Sequence, residues 1–141
     1  MTQSIQEKCI SKGVKLTEQR KVIAKVMGES KETYGESDHP DVDELYKRVI
    51  KIDPKISIAT VYRTVKLFEE SGIIAKHDFK GGKARYEELS ESHHDHLIDI
   101  ENGTIIEFQN EEIEVLQKKI AEELGFELID HRLELYGRKK Q

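Results

Sequence analysis

Four consecutive polar residues, His93-His94-Asp95-His96, lead directly into Leu97-Ile98-Asp99-Ile100, and this stretch constrains the fold more than any other. The segment predicts a β-strand, in which successive side chains point to opposite faces. The first and third residues of the tetrad would then face one side, and the second and fourth the other. Imidazole with carboxylate suits Fe²⁺, Zn²⁺, Mn²⁺ or Co²⁺. The stretch therefore predicts parts of two metal sites on opposite faces, unless it is merely a solvated strand end.

The size and composition indicate a small protein without a membrane segment. A chain of 141 residues suits one domain of usual size or two small ones. Hydrophobic and charged residues each make up 36%, and no apolar run approaches the roughly 20 residues that a membrane span needs. The N-terminus has no hydrophobic signal region. We therefore expect a soluble, cytoplasmic protein with no membrane partner.

Cys9 is the single cysteine of the sequence. It cannot form an intramolecular disulfide, and there is no Cys-x-x-Cys pair that could build a thiolate zinc site. Any metal ion must therefore be held by nitrogen and oxygen, and no structural zinc site built from four cysteines is expected. Cys9 itself is predicted to be a small core residue.

The net charge of −5 is unevenly distributed along the chain. Residues 1–90 contain 17 Lys and Arg against 15 Asp and Glu, whereas residues 91–141 contain 6 against 13. The first part, at +2, can approach a polyanion, and the second, at −7, would repel one but attract cations. The overall acidity therefore does not argue against DNA binding.

Residues 1–72 are predicted to be mainly helical. Residues 3–12 form a first segment, Thr17 is a plausible N-cap for a second, and residues 41–50 form another before Asp53-Pro54. Residues 29–39 are polar and predict a loop that delivers His39. Ser57 can cap a last helix that closes at Gly72. The predicted buried faces of these helices consist of Val22, Ile23, Val26, Met27, Val42, Leu45, Tyr46, Val49, Ile50, Ile58, Val61, Val65 and Phe68.

A β-hairpin is predicted after these helices. Residues 73–79 and 84–89 form its strands, and Lys80-Gly-Gly-Lys83 forms a tight turn with both glycines at positive φ. Three helices followed by a hairpin is the order of a winged helix, with basic residues on the wing to meet phosphates. The last helix leaves small, hydroxyl, aromatic and basic side chains exposed, which suits a major-groove reader. Those wing and helix residues are Lys76, Lys80, Lys83 and Arg85, and Ser57, Ala59, Thr60, Tyr62, Arg63 and Lys66.

The remaining residues predict a small β-β-α-β unit. The strand that follows the tetrad pairs with residues 104–108 through a turn at 101–103, Asn110 caps a helix, and residues 126–136 alternate as a third strand. A unit of about 50 residues buries little core by itself, so we expect it to pair with a second copy. The helix has a predicted core stripe of Ile113, Leu116, Ile120, Ala121 and Leu124.

The whole pattern closely resembles the ferric uptake regulator family of metal-dependent repressors, nearly end to end and in order. The resemblance is carried by residues 12–20, His39-Pro40, residues 58–63, residues 68–73, residues 85–87, residues 93–98, residues 106–108, Glu114 and residues 131–136. It implies an α+β fold: an N-terminal winged helix-turn-helix DNA-binding domain and a small C-terminal α/β dimerisation domain. In this chain the domains would span residues 1–89 and 93–137, with a hinge at 90–92 and a tail at 138–141.

The resemblance also implies two sets of metal ligands. An inter-domain regulatory site would use His39, Glu87, His96 and Glu107, with His94 as a further ligand. A second site within the dimerisation domain would use His93, Asp95, Glu114 and His131. The chain departs from many family members in lacking Cys-x-x-Cys pairs, and the loop at residues 31–36 looks longer than usual.

For DNA, the resemblance implies that Tyr62 and Arg63 lie in the major groove, with Thr60 on the same surface. Tyr62 would contact thymine methyl groups, and Arg63 a guanine edge or a phosphate. Lys15 would reach the backbone or the narrow minor groove of an A·T-rich operator. The alternatives are that Tyr62 packs on the wing and that Lys15 only caps a helix end.

The expected function is repression of metal uptake genes in response to Fe²⁺, with Mn²⁺ or Zn²⁺ as substitutes and up to two ions per subunit. The protein would bind a palindromic operator as a homodimer or a higher oligomer. A manganese-responsive regulator is the first alternative. A metallohydrolase is another, but it would need an open coordination position and a substrate pocket.

Overall fold

The chain divides into two units, residues 1–90 and 91–141, in a computed structural model that describes residues 4–35, 38–80, 82–89 and 94–141. The hinge predicted at residues 90–92 and the first residue of the tetrad, His93, lie outside the described residues. Within those residues, no helix has both the length and the apolar character needed to cross a membrane.

Unit 1 begins with five helices. They are α1 (Ile5–Ser11), α2 (Glu18–Gly28), α3 (Ser30–Tyr34), α4 (Val42–Ile52) and α5 (Ile58–Glu70). Side chains that accept a hydrogen bond from a backbone N–H of the first turn cap four of them, namely Ser4, Thr17, Asp41 and Ser57. Such caps satisfy N–H groups that have no partner inside the helix. The predicted caps at Thr17 and Ser57 are therefore confirmed.

The core of unit 1 forms where the apolar stripes of these helices meet. Leu45, Val49, Val61 and Phe68 are fully buried, and Cys9 lies among them as predicted. Burial raises the pKa of the Cys9 thiol above its ordinary value, and nearby Arg20 opposes this only partly. A buried thiol of raised pKa carries little thiolate and behaves as a small apolar side chain.

Two details of the helical prediction were wrong. The segment 29–39 was expected to be a loop, but it contains helix α3, which follows directly on α2 after Glu29. Ile58 was expected to be buried, but it is 40% exposed, because the apolar stripe of α5 reaches the end of the helix there.

A two-stranded hairpin completes unit 1. Gly72, at a φ of 73°, ends α5 in the left-handed region that favours glycine. Strands β1 (Ile74–His77) and β2 (Arg85–Glu88) then pair antiparallel, with Ala75 opposite Glu87. Gly82 was predicted to have a positive φ but does not, so that part of the turn prediction was wrong. Gly81 lies outside the described residues. The order of helices and hairpin is that of a winged helix.

Unit 2 is a three-stranded sheet with one helix. Strand β3 (Asp95–Asp99) is central, with β4 (Ile105–Phe108) antiparallel on one side and β5 (Glu134–Gly137) parallel on the other. Helix α6 (Glu111–Glu123) is capped by Asn110, as predicted. The third strand was predicted over residues 126–136 but begins only at Glu134. Before it, the Asp130 side chain accepts the N–H of His131, a local bond that competes with strand pairing.

The apolar face of α6 is not covered within one chain. Every residue of this helix is described, and none is fully buried; Leu116 is 56% exposed and Leu124 69%. The sheet likewise exposes Ile106 and Leu135. The stripe predicted as core is thus largely exposed in a single subunit, with only Ile113 and Ala121 half-buried, as expected of a surface that meets a second copy.

A network of side chains ties Asp38 to both ends of α3 and to α4. Arg48 of α4 donates to both carboxylate oxygens of Asp38, at 2.7 and 3.0 Å, and its guanidinium lies 3.6 Å from the ring centre of Tyr34. Ser30 also donates to Asp38. Burial raises the pKa of the Asp38 carboxyl, but the bonds from Arg48 and Ser30 outweigh it, so the pKa lies below its ordinary value. The network therefore holds Asp38 charged, directly before His39.

Replacing Arg48 by methionine should lower the free energy of unfolding by about 1 to 2 kcal/mol at pH 7, because Asp38 loses its buried cation. The pKa of Asp38 is lower in the folded protein than in the unfolded one. Its contribution is therefore present above about pH 4 and is lost as the pH falls through the folded pKa. Urea unfolding at pH 7 and at lower pH should show the gap between wild type and Arg48→Met closing on acidification.

The matched control is Lys47→Met, which removes the same charge from the neighbouring, exposed position of α4. It should change stability by less than about 0.5 kcal/mol. Equal losses for both variants would contradict a specific role for the Arg48 network.

Candidate metal centres and nucleic-acid surface

One cluster of metal-ligating side chains lies wholly within unit 2. Asp95, the first residue of β3, is 1% exposed, and its Oδ1 lies 3.2 Å from Nε2 of His131. Glu114, in the first turn of α6, places Oε1 3.6 Å from the same nitrogen. One ligand atom from each residue lies within 4.8 Å of the other two. Strand, helix and the segment before β5 thus bring together three of the four residues predicted for this site, while His93 lies outside the described residues.

The donor set of this cluster fits a divalent ion. Bonds of about 2.1 Å in tetrahedral or octahedral geometry place neighbouring ligand atoms about 3.0 to 3.4 Å apart, close to the two separations at His131. Two carboxylates and an imidazole suit zinc, manganese or ferrous iron rather than a soft metal. The three residues can therefore hold such an ion with small side-chain adjustments.

A second group of candidate ligands lies in unit 1, around Glu87 of β2. The Glu87 side chain is 8% exposed, and its Oε2 lies 3.0 Å from Nε2 of the fully buried His39. Its other oxygen, Oε1, lies 2.8 Å from Nε2 of His77. The two rings are 6.0 Å apart and meet edge to face, and His77 stacks on Phe79. Two imidazoles and one carboxylate thus converge on the inner face of the hairpin.

Backbone contacts explain how His39 reaches this position. Pro40 restricts its neighbour to an extended conformation, and the Pro40 carbonyl accepts the N–H of Tyr86 at 2.9 Å. Arg85, which was expected to meet phosphates from the wing, instead donates from Nε to the carbonyl of His39. Residues 39 and 40 therefore lie alongside β2, which places the His39 ring beside Glu87.

His77 was not predicted from the sequence to belong to this site. The signal was present in the strand pattern: residues two apart share a face of a strand, and Ala75 lies opposite Glu87. His77 is consequently a diagonal neighbour of Glu87, within reach of its side chain. Without the register of the hairpin, this relation could not be deduced.

Unit 2 carries a further group of candidate ligands on the opposite face of β3 from Asp95. His96, 7% exposed, lies directly opposite Glu107 in the pairing of β3 with β4. Nε2 of His94 lies 3.9 Å from Oε2 of Glu107. Alternation along β3 thus places the two predicted ligand sets on different faces of the sheet.

The residues predicted to contact DNA lie on the surface of unit 1. On α5, Tyr62 is 52% exposed and Arg63 is exposed. Thr60, half-buried, shares a 3.0 Å hydrogen bond with Ser57. Lys15 is exposed before α2. Tyr62 therefore does not pack into the core, and these side chains are available to a ligand.

The wing contributes fewer available cations than expected. Lys83 forms an ion pair with Asp43 of α4. The hydrogen bond that the Lys83 ammonium donates to this carboxylate raises its pKa above the ordinary value. Arg85 is turned toward the His39 carbonyl, whereas Lys76, Lys80 and Lys83 have exposed side chains.

Comparison with known proteins agrees with this architecture. A model of the ferric uptake regulator family matches residues 11–136. The ferric uptake regulation protein of Rhizobium leguminosarum bv. viciae is 58% identical over 137 residues, covering 97% of this chain and 92% of that protein. That of Escherichia coli K12 is 40% identical over 125 residues, covering 89% and 81%.

Solved structures give the same result. A zinc-bound manganese uptake regulator superposes with a TM-score of 0.81 at 56% identity, covering 98% of this chain and 100% of that one. The ferric uptake regulator of Francisella tularensis with iron superposes with a TM-score of 0.80 at 35% identity, covering 91% and 93%.

These findings define the class of protein as a metal-responsive regulator that binds DNA as a dimer, and not an enzyme. The chain belongs to the ferric uptake regulator family. The predicted fold class, a winged helix followed by a small α/β unit, is confirmed. The metallohydrolase alternative is set aside with the family assignment, and the single cysteine agrees with the absence of a Cys-x-x-Cys zinc site.

Replacing His131 by alanine should weaken Mn²⁺ binding at the cluster within unit 2 by at least about tenfold, because an ion there would lose one of its few protein ligands. Isothermal titration should then show one class of sites fewer than wild type. The rise in melting temperature at saturating Mn²⁺ should also shrink.

Arg132→Ala is the control, since Arg132 is adjacent, exposed and paired with Glu134 rather than with the cluster. It should keep the wild-type stoichiometry. A His131→Ala protein with unchanged stoichiometry and affinity would show that the cluster does not hold the ion.

Proposed function

We propose that this protein represses metal uptake genes in response to Fe²⁺, through a divalent ion whose ligands come from both units. The observation that carries the proposal is the division of the ligands. His39 and Glu87 are assembled in unit 1, and His96 and Glu107 face each other in unit 2, beside His94. Each unit thus holds only part of the predicted ligand set, and an ion would gain four or more protein ligands only by binding both parts.

The donor chemistry supports a regulatory ion. Imidazole and carboxylate donors suit Fe²⁺, Mn²⁺ and Zn²⁺, and a bound ion would supply positive charge that offsets the paired carboxylates. His39 and Glu87 are largely buried before any ion is added, so their positions are fixed by the fold. Affinity should fall at low pH, because the histidines must be neutral to ligate.

The role of unit 1 in this proposal is to bind DNA and that of unit 2 is to dimerise. Tyr62 and Arg63 would enter the major groove from exposed positions on α5, Thr60 would support them, and Lys15 would reach the DNA backbone. Two copies of α5 must match half-sites about 34 to 36 Å apart, or a multiple of this, on a palindromic operator. The exposed apolar face of α6 supports a homodimer through unit 2.

Ligands from both units would restrict how the two units move relative to each other, and hence the separation of the α5 helices in the dimer. The ion can shift this equilibrium only by its difference in affinity for the two arrangements. We place the second ion, held by Asp95, Glu114 and His131 with His93, in a supporting role within unit 2.

A manganese-responsive regulator is the second candidate, because a chain 56% identical is described as a manganese uptake regulator. The same nitrogen and oxygen ligands serve either ion, and affinity alone follows the general order of the metals rather than the physiological choice. DNA affinity measured anaerobically at the free Fe²⁺ and Mn²⁺ concentrations of the cell distinguishes the two candidates.

The test of the proposed function is DNA affinity for an A·T-rich palindromic operator, with and without Mn²⁺ as an air-stable substitute for Fe²⁺. Mn²⁺ should tighten DNA binding by the wild type. Glu87→Ala should stay folded, and the factor by which Mn²⁺ tightens its DNA binding should be at least about tenfold smaller. Glu88→Ala is the matched control, because Glu88 is the next residue of β2 and pairs with Lys8. Equal affinity of the wild type with and without metal would contradict the proposal.

A further inference from the structure

Lys31 contacts the same carboxylate oxygen that the proposed function assigns to a metal ion. Its Nζ lies 3.0 Å from Oε2 of Glu87, the oxygen that also lies 3.0 Å from His39. The other oxygen of Glu87 is engaged by His77. The ammonium thus shares Oε2 with one of the residues expected to ligate.

The contact is built into the fold rather than made by a mobile surface chain. Lys31 is the second residue of α3. This helix begins at the buried Ser30 and ends at Tyr34, whose ring contacts the guanidinium of Arg48. The Lys31 side chain is 29% exposed, and that of Glu87 only 8%. A buried carboxylate needs a compensating cation, and Lys31 supplies one from within the chain.

An ammonium and a divalent ion cannot share this oxygen without strong repulsion. With contacts of about 3 Å and 2.1 Å to Oε2, the two cations would lie only about 4 to 5 Å apart, and like charges at that distance in a poorly solvated place oppose each other. Metal binding at Glu87 therefore requires the Lys31 side chain to swing away. A small cleft lined by Met27, Gly28, Lys31 and Glu87 opens beside it.

We propose that Lys31 is an affinity-setting residue, whose ammonium competes with the regulatory metal ion for Oε2 of Glu87 and so raises the metal concentration at which the protein responds. This inference rests on the proposed function, because it assumes that Glu87 is a ligand. It adds a residue from α3 that belongs to neither ligand set.

The test is Mn²⁺ affinity of the full-length dimer, measured by titration calorimetry and by the electron paramagnetic resonance signal of free Mn²⁺. His131→Ala serves as the background, so that the cluster within unit 2 does not contribute. Lys31→Met, which keeps the aliphatic stem, should bind Mn²⁺ about tenfold more tightly. Lys31→Arg keeps the charge and should stay within about twofold of the Lys31 protein.

Lys8→Met is the matched control. Lys8 pairs at 3.0 Å with Glu88, the neighbour of Glu87 on β2, and its side chain is 22% exposed. Lys8→Met removes the same charge near the same strand, and its Mn²⁺ affinity should stay within about twofold of that of the protein with Lys8. A gain equal to that of Lys31→Met would overturn the inference in favour of a general effect of charge.

A purely structural role for Lys31 predicts the opposite result. Loss of a structural contact would lower both the metal-free melting temperature and the Mn²⁺ affinity, whereas competition predicts tighter binding at equal or lower melting temperature. If Glu87→Ala loses the site but Lys31→Met binds Mn²⁺ no more tightly than the Lys31 protein, the inference about Lys31 is wrong and the proposed function is not affected. If Glu87→Ala binds Mn²⁺ as wild type does, the proposed function and this inference fail together.

Discussion

The carboxylate of Glu87 is the constraint on which much of unit 1 depends. A charge that is almost fully removed from water must be compensated by hydrogen bonds and opposite charge, or it destabilises the fold by several kcal/mol. Here His39, His77 and Lys31 all converge on its two oxygens. They come from the segment before α4, from β1 and from α3, so satisfying one carboxylate brings three parts of the chain together.

This arrangement also explains why unit 1 is well suited to sense a cation. The groups that satisfy Glu87 are two imidazoles, which can also ligate a metal when neutral, and one ammonium, which cannot. The same carboxylate therefore stabilises the fold and offers a place for a metal ion. The contacts that Arg85 and Tyr86 make with the backbone of His39 and Pro40 hold this proposed ligand in position beside Glu87.

The sequence predicted the elements and much of the ligand chemistry because both follow from short-range rules. N-caps such as Ser57, the periodicity around Leu45 and Phe68, and the alternation about Asp95 are all local patterns. What the sequence did not reveal depends on register or on tertiary contacts. His77 reaches Glu87 only through the pairing of β1 with β2, and α3 was hidden in a polar stretch with a weak apolar pattern.

Unit 2 shows the same distinction. The strand pairing of β3 and β4 followed from alternation and a turn, but the apolar stripe of α6 was expected to be buried, and in one chain it is exposed. A pattern of apolar residues predicts that a face will be covered; it does not say by which chain. The regulators of this family are dimers, and we propose that a second copy covers this face.

We propose that one divalent ion is held by ligands of both units. The most direct measurement is paramagnetic broadening of backbone amide signals by half an equivalent of Mn²⁺ in a ¹⁵N-labelled His131→Ala dimer. If ligands of both units hold the ion, signals around Glu87 in β2 and around Glu107 in β4 should broaden together and to a similar extent. Broadening confined to one unit would contradict this proposal, because the pair in the other unit would then not ligate the ion.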